Sequence, residues 1–257
     1  MAISVQEESI VPEINARAAL VIETHSNEAL YTKNVWEVLP IASLTKLMTA
    51  LVVKENIELE KIITVGPIIY EVSGSKMGLK LDEKITVLDL LRGLLISSGN
   101  DAAMVLSEAV AGAPEAFVEM MNQRTQALGL SNTYFVDPAG LRNENISSAF
   151  EIAHLAKYVF KDPLLQSIMR EKELKIEAIE GGVEHNLFNT NRLLGTDIAE
   201  RIIAGKTGTT PLAGQCLISF INNNNGRTTM TILLGSGNRY EEMKRLINWV
   251  DESFLWN

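Results

Sequence analysis

The chain has 257 residues, enough for one domain with a large core or two lobes sharing an interface, and its 46% hydrophobic and 21% charged residues are those of an ordinary globular protein. A formal net charge of −9 with no Lys/Arg-rich run argues against a nucleic-acid surface. One cysteine, Cys216, excludes an intrachain disulfide, and the three histidines (His25, His154, His185) stand too far apart to suggest a metal site.

No run approaches the roughly 18–20 apolar residues of a membrane span, and residues 1–15 carry glutamates without an apolar core, so no signal peptide is expected here. Residues 17–24 and 28–33, separated by His25-Ser26-Asn27, read as a β-hairpin. Pro40 ends the extended segment before it, and Leu44, Leu47, Met48, Leu51 and Val52 then recur with a helical period. A buried helix is predicted, with Ser43 in its first turn. Short strands at 62–65 and 84–87 flank a Gly-rich loop at 73–78, and helical patterns follow at 87–97, 100–111, 114–128 and 149–160.

Extended arms at 172–179 and 183–190 surround Gly181-Gly182. A strand at 202–206 precedes two apolar runs, 216–221 and 229–234, joined by a tight Asn222 to Gly226 turn that signals a hairpin. Cys216 falls in the first of these runs and reads as a buried packing residue. A last helix places Met243, Leu246, Ile247, Val250 and Phe254 on one face, packed on the sheet. Strands at both ends and helices between them predict an α+β fold: an antiparallel sheet built from both termini and flanked by helices, with an inserted helical lobe. The sheet lobe would hold about 15–65 and 195–257, the helical lobe about 66–194, and the cleft between them the site.

Ser43 at a helix N-terminus lies where free N–H groups and the helix dipole favour negative charge. Lys46 follows one turn later on the same face, and burial lowers the pKa of such a lysine until its neutral amine can take a proton. The pair reads as a nucleophile with its base. The same spacing recurs at Ser73-Gly74-Ser75-Lys76, where the composition predicts a loop and nothing activates the pair. Ser97-Ser98-Gly99-Asn100-Asp101 marks a junction between two helices; it resembles a helix stop and cap, as does Ser236-Gly237-Asn238, yet Ser98 and Asn100 could both face a cleft, relaying a proton and holding an amide. Gly205-Lys206-Thr207-Gly208-Thr209-Thr210 is no phosphate loop, because position 200 is Glu where that loop needs Gly. It reads instead as a strand edge that pairs with an extended peptide and binds its terminal carboxylate.

Ser-x-x-Lys, Ser-x-Asn and Lys-Thr-Gly in this order form the motif set of penicillin-binding proteins and class A β-lactamases. Pro40-Ile-Ala-Ser43-Leu-Thr-Lys46-Leu-Met-Thr-Ala, Gly74-Ser-Lys-Met, Ser98-Gly-Asn-Asp-Ala-Ala, Asp137-Pro-Ala-Gly-Leu141 and Lys206-Thr-Gly-Thr-Thr together resemble the low-molecular-mass penicillin-binding proteins, the D-alanyl-D-alanine carboxypeptidases, over about residues 15 to 256. The resemblance implies a penicillin-binding protein/β-lactamase-like fold over 15–257 and a serine-type hydrolase of peptidoglycan stem peptides ending in D-Ala-D-Ala, acylated by β-lactams and needing no cofactor or metal. It implies that Ser43 is acylated, that Lys46 is the base, and that Ser98 and Lys206 belong to the proton network. Asn100 would hold the peptide amide, while Thr207 and Thr209 bind the carboxylate. The N–H groups of Ser43 and Thr209, the latter just past Gly208, would form the oxyanion hole.

Many relatives add a C-terminal β domain and a basic amphipathic anchor, whereas this chain stops at Asn257, so membrane association is not evident. Ala213-Gly-Gln-Cys216-Leu resembles an endopeptidase branch that cuts D-alanyl crosslinks, while Ser98-Gly-Asn-Asp resembles the carboxypeptidases. A class A β-lactamase needs a water-activating Glu-x-x-Leu-Asn-like stretch; none lies between Asn100 and Lys206, so slow turnover of penicillin is expected. A β-lactam sensor, which is acylated without turnover, is the alternative outside catalysis. The substrate implies an extracytoplasmic location, in the cell envelope or periplasm. Arg239 is read as a solvated turn residue ahead of the alternative that it, and not the threonines, binds the carboxylate.

Overall fold

The computed structural model describes residues 3–5, 9–224 and 226–256. In chain order a short strand β1 (Ile3–Val5) is followed by β2 (Ala18–Glu23) and β3 (Ala29–Lys33), the hairpin expected around residues 25–27. Strand β4 (Leu39–Pro40) leads through a 3₁₀ turn, Ala42–Thr45, into helix α1 (Lys46–Asn56). Strands β5 (Ile62–Thr64) and β6 (Lys84–Thr86) pair across the 73–78 loop. Three helices follow: α2 (Val87–Leu95), α3 (Asn100–Ala111) and α4 (Pro114–Ala127). Strand β7 (Ile146–Ser147) pairs back onto β4 and is followed by α5 (Ala149–Val159).

A further helix, α6 (Pro163–Arg170), was not anticipated by the sequence reading; Asp162 caps it by accepting the N–H groups of Leu164 and Leu165, with Pro163 in the first turn. The 172–190 arms form the β8 (Glu173–Glu177) and β9 (Glu184–Phe188) hairpin. Strands β10 (Ile202–Thr210), β11 (Gly214–Asn222) and β12 (Thr228–Ser236) come next. The expected turn between the last two includes Asn225, which lies outside the described residues. Helix α7 (Arg239–Ser253) runs into β13 (Phe254–Trp256), which pairs with β1. Phe254 therefore belongs to a strand, not to the final helix as expected.

One antiparallel sheet joins both ends of the chain in the order β10-β11-β12-β2-β3. All six residues of β2 are buried, because helices cover both faces: α5 packs on β2 and β12, and α7 on β11 and β12. The strand period of two sends Leu20 and Ile22 to the helical core, while Ala19 and Val21 meet Met243, Leu246, Ile247 and Val250 of α7. Helix α1 is buried from Lys46 to Val53 and is packed by α2, α3, α4 and α5. A helix apolar on every side must be central. Leu47, fully buried here, is worth about 2–5 kcal/mol against Ala. The one long polar side chain in the buried stretch of α1, Lys46, is consequently held out of water.

Cys216 is buried, with burial pushing its thiol pKa up to about 11, as suits a packing residue. No helix among the described residues is long and apolar enough to cross a membrane.

Candidate active site

The strand β4 to α1 junction presents the nucleophile. The N–H of Ile41 is tied to the Asn145 carbonyl, and Ala42 takes φ +48°, a left-handed conformation that costs a non-glycine residue roughly 1–2 kcal/mol. The α-helix begins at Lys46, so Ser43 lies in the 3₁₀ turn instead of the first α-helical turn. Ser43 is half-buried, and Lys46 is 0% exposed.

The Lys46 Nζ stands 3.0 Å from Ser43 Oγ, 2.8 Å from Asn100 Oδ1 and 2.5 Å from the Ala139 carbonyl. Two of these partners can only accept, whereas the serine hydroxyl can donate. A neutral amine would give its two N–H groups to Asn100 and Ala139, leaving its lone pair on the Ser43 proton. Burial lowers the Lys46 pKa to about 7, against the opposing pull of the Asp137 and Asp101 carboxylates. The amine is thus poised between its two protonation states near neutral pH, as a general base requires.

Ser98, buried and at φ +55°, ends the turn between α2 and α3, and its hydroxyl accepts a 2.8 Å hydrogen bond from Lys206 Nζ. Burial, then the charges of Lys46 and Arg239, hold the Lys206 pKa well below the usual lysine value. Asn100 opens α3; beyond Lys46, its Nδ2 donates to the Ser73 carbonyl at 2.6 Å. The second Ser-x-x-Lys stretch therefore contributes backbone, and its lysine, Lys76, donates to the Ile69 carbonyl instead of to a serine. Ser236-Gly237-Asn238 leads into α7: Asn238 stands at the N-cap position without a side-chain cap bond, and its N–H donates to Ser236 Oγ.

Lys206, Thr207, Gly208 and Thr209 all lie within β10, an edge strand of the sheet. Thr207 Oγ1 meets Thr190 Oγ1 at 2.6 Å, and Thr209 Oγ1 donates to the Gly208 carbonyl. A Cβ on Gly208 would fall 2.9 Å from the Ser43 nitrogen and 3.0 Å from the Ile41 carbonyl. Only glycine lets this strand approach the nucleophile so closely. The three motifs thus converge around Lys46 and Ser43.

Arg239 is not a solvated turn residue. It is half-buried at the start of α7, and its Nη1 donates to the Gly208 carbonyl at 2.8 Å, to Thr209 Oγ1 at 2.7 Å and to the Cys216 carbonyl at 3.3 Å. Its neighbours are distant in sequence, so no local signal revealed it. The sequence reading also missed Thr190 and the Ala139 carbonyl; the latter lies inside Asp137-Pro-Ala-Gly-Leu141, a stretch singled out without a role. Among the described residues no group of three or more His, Cys, Asp or Glu side chains could hold a metal ion.

Known proteins give this geometry a family. D-alanyl-D-alanine carboxypeptidase DacF of Bacillus subtilis is 32% identical over 247 residues, covering 93% of this chain and 62% of the relative, so the chain spans less than two thirds of that protein's length. A D-alanyl-D-alanine endopeptidase of Pseudomonas aeruginosa is 31% identical, with 93% of this chain and 78% of the relative covered. The crystal structure of the Streptomyces K15 DD-transpeptidase superposes with a TM-score of 0.86 at 27% identity, covering 93% of this chain and 97% of that one. The family model for D-alanyl-D-alanine carboxypeptidases, peptidase S11, matches residues 4–237, most of the chain: the chain belongs to that family.

Proposed function

We propose that this chain is a serine-type D-alanyl-D-alanine carboxypeptidase that removes the terminal D-alanine of peptidoglycan stem peptides through an acyl-enzyme on Ser43. The observation that carries the reading is the fully buried Lys46 amine, 3.0 Å from Ser43 Oγ and with a pKa lowered to about 7. In the acylation step Ser43 Oγ attacks the carbonyl of the penultimate D-alanine while its proton passes to Lys46. The N–H groups of Ser43 and Thr209 receive the oxyanion, where one donor is worth about 2.7–4 kcal/mol of transition-state stabilisation. As the C–N bond breaks, the leaving D-alanine nitrogen takes a proton through the network of Lys46, Ser98 and Lys206. Water then attacks the ester with Lys46 again as base.

Thr207, Gly208 and Thr209 offer the β10 edge to the extended peptide, and Asn100 faces its amide. The Arg239 guanidinium, already on Thr209 Oγ1, supplies the cation for the terminal carboxylate. The catalytic domain occupies residues 15–257, with a sheet lobe of about 15–65 and 195–257 and a helical lobe of about 66–194. Such a substrate places the activity outside the cytoplasm, in the cell envelope, and β-lactams would trap the same serine. The 31% identity to an endopeptidase over 93% of the chain favours one second reading, cleavage of D-alanyl crosslinks.

Incubation with a labelled penicillin, with diacetyl-Lys-D-Ala-D-Ala and with crosslinked muropeptides tests both. The expected result is label on Ser43 by mass spectrometry, D-alanine release and slow loss of label. Crosslink cleavage without D-alanine release would select the endopeptidase, and an unlabelled Ser43 would overturn the acyl-enzyme mechanism.

A further inference from the structure

Asp137 makes no contact with Ser43, yet its half-buried carboxylate is the hub of the loop beneath the site. Its Oδ1 accepts the N–H groups of Ala139 at 2.8 Å, Gly140 at 2.6 Å and Leu141 at 3.2 Å. Its Oδ2 accepts the Arg142 N–H at 2.8 Å and Asn145 Nδ2 at 2.6 Å. Five donors on one carboxylate fold residues 137–142 into a closed ring around it. Asn145, fully buried, locks the ring from the other side, its Oδ1 accepting from the Val136 and Asp137 N–H groups.

The outer surface of this ring touches the base, Lys46, and Ala42, the residue before the nucleophile. The Ala139 carbonyl holds Lys46 Nζ at 2.5 Å, and the neighbouring Pro138 carbonyl takes Thr49 Oγ1 of the same helix at 2.6 Å. Gly140, at φ +78°, lies so close to Ala42 that a Cβ would fall 2.1 Å from the Ala42 carbonyl oxygen. The Asn145 carbonyl takes the Ile41 N–H at 3.1 Å. The strained residue before the nucleophile and the amine of the base are therefore braced by one loop.

We propose that Asp137 is a positioning residue for acylation: by closing the 137–142 loop it sets the Ala139 carbonyl on Lys46 and Gly140 against Ala42. This rests on the reading of Ser43 and Lys46 as nucleophile and base. The second role is electrostatic. Asp137 raises the Lys46 pKa against burial, as does Asp101 of α3, which accepts the N–H groups of Met77, Gly78 and Leu79. The other charges near the pair are cationic: Lys206 on β10 and, beyond it, Arg239 on α7. Arg142 on the loop itself is exposed.

The test is Asp137→Asn, read by the pH profile of Ser43 acylation with a fluorescent penicillin and by the thermal midpoint. Loss of the charge lowers the Lys46 pKa, so the acid limb of the profile, which rises as the amine deprotonates, moves to lower pH by about one unit. The looser loop lowers the plateau rate by up to about 100-fold. An unmoved limb would overturn the proposal, whether the rate is wild-type or falls only with the folded fraction. Should that variant not fold, Asn145→Ala, which removes one of the five donors and keeps the charge, carries the test: slower acylation with the limb in place supports it, and a wild-type rate overturns it. Failure of the wild-type protein to acylate at all would instead overturn the parent reading of Ser43.

Discussion

The chain contains Ser-x-x-Lys twice, and the two copies have opposite fates. At Ser43–Lys46 the lysine is 0% exposed, has three polar partners and a pKa near 7. At Ser73–Lys76 the whole stretch is exposed loop, the lysine bonds the Ile69 carbonyl, and Ser73 serves the site through its main-chain oxygen. A spacing of three residues brings a hydroxyl and an amine near each other only on a helix. Burial then supplies what the side chains lack, by removing the water that would keep the ammonium charged. The chemistry resides in the environment of α1 as much as in the two residues.

The sharpest break of that comparison is substitution in each copy. Ser43→Ala should abolish covalent labelling by penicillin, and Lys46→Ala should slow it by about 10²–10⁴-fold, the usual contribution of a general base. Ser73→Ala and Lys76→Ala should stay within about twofold of wild type, since exposed substitutions commonly change energies by no more than about 0.5 kcal/mol. Equal losses in Lys46→Ala and Lys76→Ala would end the distinction.

Backbone approach is the second ingredient that only the first copy has. Gly208→Ala pushes a methyl against the Ser43 nitrogen and should cost about 10²–10³-fold in acylation, the loss of one oxyanion donor. Gly237, whose added Cβ would meet nothing within 4 Å, is the control and should accept alanine. If Gly208→Ala acylates normally, the oxyanion is held elsewhere.

A smaller effect belongs to Arg239. A charge-assisted hydrogen bond contributes about 1.5–3 kcal/mol, so Arg239→Ala should raise KM for diacetyl-Lys-D-Ala-D-Ala roughly 10- to 100-fold, and Arg239→Lys, lacking the planar fork, should recover only part of it. An unchanged KM in the alanine variant would remove Arg239 from the carboxylate site.

How much of this was written locally differs from element to element. The β2–β3 hairpin, α2 to α5 and the apolar β11 and β12 were legible because period and turn residues agree within a short window. Helix α6 left an unused signal, the Asp162-Pro163 cap followed by Leu164, Leu165, Ile168 and Met169. Strands β1 and β13 gave none, being three residues each from opposite ends of the chain, and Phe254 matched the helical period of α7 by coincidence. The site divides the same way. Its motifs could be found because their residue types are unusual together. Arg239, Thr190 and the Ala139 carbonyl could not, because a surface-type arginine, a threonine and a main-chain oxygen acquire meaning only when β10, α7 and the 137–142 loop meet.

The least perturbing test leaves catalysis aside and asks what burial of Lys46 costs the fold. The amine has its usual pKa of 10.5 in the unfolded chain and about 7 in the folded one. Between those values the unfolded chain binds more protons, so the stability contribution of this group rises with pH. Below about pH 7 both states are protonated and the burial cost stands in full. Lys46→Met, of similar length and without charge, should therefore raise the thermal midpoint, by roughly 2–4 °C for each kcal/mol relieved in a chain of this size. The gain should be largest at pH 6 and shrink by pH 9, measured as the difference between variant and wild type at each pH. A gain that grew with pH would mean that the folded-state pKa of Lys46 is not depressed. Lys76→Met, in the exposed copy, should shift the midpoint by at most about 2 °C, so stability and acylation would separate the two lysines in opposite directions: the one that the fold can least accommodate is the one on which the chemistry depends.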